Sequence, residues 1–211
     1  MLMTRRTIGW LAATLLSFAA LGAHAQAKAP EALIKEVSTD VLDAVKADKT
    51  IRAGDLSKVI ALVDQKVLPY VNFQRMTASA VGRYWRQATP EQQKRLQEEF
   101  KLLLVRTYSG ALSQVSAEQT VELKPMRSSP TDTEVVVRTE IKGKGDPIQL
   151  DYRLEKAGDS WKIYDVNVLG VWLVENYRNS FAQEIGANGI DGLIAKMAER
   201  NKSAAAAGAK S

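Results

Sequence analysis

Residues 134–168 read EVVVRTEIKGKGDPIQLDYRLEKAGDSWKIYDVNV, and this stretch decides the fold class. Val135, Val137, Thr139 and Ile141 alternate with Val136, Arg138 and Glu140. Ile148, Leu150, Tyr152 and Leu154 alternate with Gln149, Asp151, Arg153 and Glu155. A period of two is the period of a strand with one packed and one wetter face. Gly143-Lys144-Gly145-Asp146 and Ala157-Gly158-Asp159 carry turn chemistry, and Trp161 to Val168 makes a further strand. Short turns join antiparallel neighbours. Val121 and Leu123 mark one more strand upstream, so the expected sheet has four antiparallel strands.

Both flanks switch to helical periodicity. Before the sheet, Leu33, Val37, Val41, Leu42 and Val45 follow Pro30, which suits a first helical position. Gly54-Asp55 opens a second helix with Leu56, Val59, Ile60, Val63 and Val67 on one face, closed by Pro69. Phe73 and Met76 mark a short third helix ending near Gly82. Thr89-Pro90-Glu91-Gln92 is a helix start: Thr89 caps, Pro90 takes the first helical position and Gln92 closes a capping box. The helix it opens carries Leu96, Phe100, Leu103, Leu104, Tyr108, Ala111 and Leu112 on one stripe. After Gly170, Val171, Val174, Tyr177, Arg178 and Phe181 predict one helix, and Ile190, Leu193, Ile194 and Met197 another. Helices, then a sheet, then helices is an α+β order, with helices laid across one face of a curved sheet. Whether the core beneath them is solid or hollow stays open at this level.

The ends of the chain have other chemistry. Arg5-Arg6, an apolar run from Ile8 to Leu21, and Ala23-His24-Ala25 have the three-part pattern of a cleaved export signal over residues 1–25. From Lys202 the chain is Ser, Ala, Gly and Lys, and a disordered tail over 202–211 is expected. The domain proper is then 26–201. Cleavage after Ala25 leaves 186 of the 211 residues and takes Arg5 and Arg6 from a formal charge of +5, leaving +3. It also removes His24, the one histidine, from a chain with no cysteine. Ser-His-Asp and Cys-His nucleophiles, and the common zinc, copper and haem ligand sets, are therefore excluded from the mature protein. No resident cofactor or metal is expected. Basic residues scattered among acids in an exported chain do not make a nucleic-acid surface.

Three constellations remain. Asp151 and Asp165 lie on consecutive strands and could serve as a carboxylate pair in a hydrolase. Against this, the alternation puts Asp151 on the solvent face, while the parity of Asp165 with Trp161 and Ile163 suits a buried, hydrogen-bonded structural role. Tyr84-Trp85-Arg86 is either a cluster that binds a ligand or a partner, or an apolar plug with an amphipathic arginine. Trp172 and Tyr177 either line a pocket or pack on the sheet. The residues alone thus describe an exported domain without an evident catalytic set and do not name a ligand.

The order and spacing of several stretches resemble the MlaC family of periplasmic phospholipid-binding proteins, from about Leu33 to Met197. They are Val67-Leu68-Pro69 with Phe73; Gly82-Arg83-Tyr84-Trp85-Arg86 followed by Ala88-Thr89-Pro90-Glu91-Gln92; Phe100 with Leu103-Leu104-Val105-Arg106-Thr107-Tyr108; Asp151-Tyr152; Trp161-Lys162-Ile163-Tyr164-Asp165-Val166; Gly170-Val171, Leu173-Val174, Asn176-Tyr177-Arg178 and Phe181; and Gly189-Ile190-Asp191-Gly192-Leu193. The chain departs from the family pattern at Leu169, where Glu is expected, and at Trp172, where Ser is expected. If position 172 faces the ligand, its indole narrows the cavity.

The resemblance implies a sheet-and-helix fold around an apolar cavity that holds acyl chains, with the phosphate headgroup near the mouth. It implies no catalysis and no cofactor, only phospholipid as cargo. It also implies shuttling between an outer-membrane MlaA–porin complex and MlaD of the inner-membrane MlaFEDB transporter of Gram-negative bacteria. The apolar stretches Val63–Val71, Phe100–Tyr108 and Val166–Val174 are the expected walls. Tyr108, Tyr152, Val166, Val168, Val171, Trp172 and Val174 are the candidate cavity residues. Arg86, Arg153 and Arg178 are the candidates for headgroup or partner contact. Two other classes stay in view, a carboxylate-dependent hydrolase and a solid interaction domain presenting Tyr84-Trp85-Arg86.

Overall fold

The computed structural model describes residues 28–129 and 131–208. The expected export signal lies outside the described residues. Helix α1 (Pro30–Ala47) starts on Pro30, as the sequence predicts. A single turn, α2 (Lys49–Arg52), follows; it is too short to leave a periodic signature, and the Asp48 carboxylate caps it through the Thr50 and Ile51 amides. Helices α3 (Leu56–Lys66) and α4 (Phe73–Val81) come next, capped by Asp55 and Asn72. Gly82 ends α4 at φ 65, a left-handed value that glycine reaches without a Cβ clash. The Tyr84-Trp85-Arg86 cluster sits in a 3-10 turn, Gly82–Gln87, with Tyr84 and Trp85 half-buried against the main core. Both hydrogen bonds of the Thr89/Gln92 capping box are present at the start of α5 (Pro90–Ser109). The chain then tightens into a 3-10 turn, Gly110–Gln114.

Among the described residues the sheet has five strands, one more than expected. They are β1 (Thr120–Leu123), β2 (Glu134–Lys142), β3 (Ile148–Ala157), β4 (Ser160–Val168) and β5 (Val171–Trp172), in the order β1-β2-β3-β4-β5, all antiparallel. The extra strand corrects the expectation that Val171 begins a helix. Val168 pairs with Val171 across Leu169-Gly170, and both of these turn residues have positive φ, 51 and 90. Positive φ at both central positions is the geometry that folds two strands back on each other, and it outweighs the helical spacing of the apolar residues downstream. Helix α6 (Leu173–Gly208) therefore starts two residues later than Val171 and bends at Gly189, where φ is 72. The bend separates the two helical segments expected there. α6 continues to Gly208, past the Lys202 where a disordered tail was expected; Ala204–Ala207 is a run of the strongest helix former. Residues 209–211 lie outside the described residues.

Three apolar clusters hold these elements. Met76, Leu96, Phe100, Tyr177, Phe181, Leu193 and Ile194 join α4, α5 and α6. Phe100 meets Tyr177 and Phe181 edge-on, with centroids 5.1 and 5.3 Å away. Leu33, Ile34 and Val37 of α1 pack on Val135, Val137, Leu154 and Ile163, filling one half of the inner sheet face. Val45, Ile51, Val59, Leu62 and Val105 join α1, α2, α3 and α5. β5 is too short to cover the whole edge of β4. Val71 bridges in parallel to Ile163 there, and the Asn72 amide donates to the Ile163 carbonyl at 2.8 Å. The exposed edge is thus closed by the segment that leads into α4.

Candidate functional site

The three clusters do not close on one another. Between them lies a cavity of about 360 Å3, in the range of small-molecule sites. Val71, Phe73, Met76 and Leu104 bound it from the main core, and Val63, Val105, Leu112 and Val115 from the α3–α5 side. Ile141, Ile148, Leu150, Val166 and Val168 form its floor on the half of the sheet that α1 does not cover. The alternation of β2, β3 and β4 produces this floor: Leu150 and Val168 are register partners, and the pair Tyr152 and Val166 follows on the same face. The polar side chains of the lining are Lys101, Gln114, Gln119 and the Tyr108 phenol, and Lys101 is its one charged residue among those described. A larger concavity of about 720 Å3 runs along α1 beside Glu31, Lys35 and Leu123. It is open along its length and carries charged side chains, so it offers no dry interior.

Of the candidate cavity residues, Tyr108, Val166 and Val168 line this space, and burial pushes the Tyr108 phenol above its ordinary value. The other four lie elsewhere. Tyr152 packs with the α1 cluster, its hydroxyl 3.2 Å from that of Ser38, and burial raises its phenol too. The α1 helix lies over that part of the inner face, and this separates Tyr152 from the floor. Val174 is buried in the main core, on the first turn of α6. Val171 pairs with Val168 and so shares the face of the floor, but it stands on the short edge strand β5, 48% exposed and outside the lining. Trp172 is not in the lining; its ring lies 3.8 Å from the Arg153 guanidinium carbon, on the opposite side of the sheet from Leu150 and Tyr152. It does not narrow the cavity. The lining that the apolar stripes did not indicate is the 3-10 turn after α5, with Gln114 and Val115, and the Ile141/Ile148/Leu150 floor.

None of the three candidate arginines reaches the cavity. Arg86 is exposed on the 3-10 turn, and Arg178 donates through Nε to the Ser79 carbonyl at 3.1 Å, tying α6 to α4. Arg153 bridges Asp165 at 3.0 Å and Glu175 at 3.1 Å. Asp165 is 1% exposed, and its other oxygen accepts from the Val166 and Val174 amides, so it caps α6 as well as pairing with Arg153. Burial raises its carboxyl above the ordinary value, against the opposing pull of those amides and of Arg153.

Asp151 lies on the outer face, opposite in parity to Leu150 and Tyr152, but it is buried there. Gln149 donates to it at 2.9 Å and Arg138 lies within 4.0 Å, so long neighbours on the outer face reach over it. Asp151 pairs in register with Asn167, and Asp165 with Arg153. The two carboxylates therefore do not face each other, and neither opens into the cavity. Among the described residues no group of three or more His, Cys, Asp or Glu side chains could hold a metal, and no helix is long and apolar enough to cross a membrane.

Comparison with known proteins agrees with this geometry. The MlaC protein family model matches residues 35–199. The chain is 27% identical over 185 residues to toluene tolerance protein ttg2D of Pseudomonas putida, covering 84% of this chain and 86% of the relative. It is 25% identical over 172 residues to the intermembrane phospholipid transport system binding protein MlaC of Haemophilus influenzae, covering 80% of each. A phospholipid-binding protein from Ralstonia solanacearum, solved in complex with a phospholipid, superposes with a TM-score of 0.79 at 48% identity. That match covers 83% of this chain and 98% of the other. With the family match beginning within α1 and ending within α6, the chain belongs to the MlaC family.

Proposed function

We propose that the protein is a periplasmic phospholipid carrier. It takes glycerophospholipids across the aqueous gap between an outer-membrane MlaA–porin complex and MlaD of an inner-membrane MlaFEDB transporter, and so maintains outer-membrane lipid asymmetry. The observation that carries this reading is the apolar cavity between α3, α5 and the sheet. The Ralstonia relative, bound to a phospholipid at 48% identity, supports it. The physics sets the task. A diacyl lipid carries roughly 30 methylenes at ~0.8 kcal/mol each, so its tails resist water by on the order of 20 kcal/mol. A carrier has to offer a dry interior of similar hydrophobicity and then release its cargo. It has no bond to break, and the reading assigns no catalytic step.

Native mass spectrometry of the protein purified without detergent, followed by extraction and lipid identification, tests the reading. A stoichiometric phospholipid is the expected result. Protein that carries no lipid and takes none from vesicles would overturn the carrier reading in favour of an interaction domain.

A further inference from the structure

Lys101 is the one charged side chain among the described residues of the cavity wall, and its placement is specific. It precedes Leu104 and Val105 by one helical turn on α5, and all three line the cavity. Its ammonium donates to Asp64 Oδ1 of α3 at 2.9 Å, with the two side chains 24% and 42% exposed. The stem therefore lies along the apolar wall while the charge sits where the cavity meets water. An ammonium has three donors, and Asp64 accounts for one. The tails of a phosphate-bearing lipid lying in the cavity would bring their anionic group to this same boundary. A compact, strongly hydrated point charge on a flexible stem suits a phosphate that has to be let go again.

We propose that Lys101 is the phosphate-binding residue of the cavity and Asp64 its exchangeable counter-ion, so that the site selects phosphate-bearing diacyl lipids over neutral ones. This rests on the carrier reading and adds to it the recognised chemical group. Asp64 is an internal competitor for the ammonium. It keeps the charge oriented and makes phosphate binding an exchange of one anion for another, which weakens retention and eases release. The pair also joins α3 to α5, with Lys101 alone of the two in the lining. Half-exposed pairs of this kind contribute little to folding, so variants at either position keep the fold.

The test measures uptake by the purified, lipid-stripped protein from vesicles containing fluorescent phosphatidylglycerol or fluorescent diacylglycerol with matched tails. Lys101→Gln is expected to weaken phosphatidylglycerol uptake about tenfold, the worth of one charge-assisted hydrogen bond, and to leave diacylglycerol uptake unchanged. Lys101→Arg is expected to restore most of the loss, and Asp64→Asn to slow phosphatidylglycerol release. Lys101→Gln that takes phosphatidylglycerol like the parent, or that loses both lipids equally, would overturn the assignment. A parent protein that takes up neither lipid would overturn the carrier reading itself, a different and recognisable result.

Discussion

At the residue scale, Trp172 shows how a departure from a family pattern acquires its meaning only from the pleat. From the sequence its bulk threatened the cavity. In the fold it lies beside the Arg153 guanidinium, at 3.8 Å, while Arg153 reaches Asp165 and Glu175. The ring thus shields an ion pair that fixes the start of α6, and a cation over an indole contributes on the order of 1 kcal/mol, more when desolvated. Trp172→Ser is expected to lower stability by about 2 kcal/mol, through the lost stacking and burial, and to leave the lipid complement unchanged. Denaturant unfolding together with lipid extraction checks both halves. A changed acyl-chain profile would put the indole back in the cavity. Tyr108, Val166 and Val168 were legible as lining because their apolar spacing matches the faces they occupy. Tyr152 was misread because alternation assigns it a face and does not say which helix covers that part of the face.

At the scale of elements, hairpins and caps were legible wherever their chemistry is local. The Thr89/Gln92 box, the helix opening at Gly54-Asp55 and the two turns of the 134–168 segment all form as read. The β4–β5 hairpin was not legible, because Leu169-Gly170 lacks the Asn or Asp that usually announces such a turn. Leu169 sits at φ 51 and is 66% exposed, so it bears the left-handed conformation with no burial to offset it. That conformation costs an ordinary side chain roughly 1–2 kcal/mol, while asparagine tolerates it. Leu169→Asn is expected to stabilise the protein by about 1 kcal/mol, which for a domain of this size raises Tm by roughly 2–4 °C. Calorimetry decides the matter; an unchanged or lower Tm would mean that the leucine has partners compensating its backbone.

At the scale of the whole molecule, the cavity has to grow to do what we propose. A dry cavity of about 150 Å3 holds one benzene, or roughly 25 Å3 per carbon, so two tails of about 30 methylenes together need on the order of 750 Å3. The cavity measures about 360 Å3. Opening is available because the cavity lies where three separately packed clusters meet, and these can move apart without any one of them being broken. The wall residues Leu112, after α5, and Ile148, on β3, come from elements that would separate. The chain has no cysteine of its own, so Leu112→Cys with Ile148→Cys can be joined by a cleavable bismaleimide without side reactions. Joined before loading, the protein is expected to take up diacyl lipid much more slowly than its unjoined form, while a single-chain fatty acid enters at nearly the parent rate. Joined after loading, it is expected to retain its lipid, and cleaving the linker should restore release. Equal rates for diacyl lipid in the joined and cleaved forms would show that the cavity enlarges elsewhere, with the α5 side and the sheet moving as one.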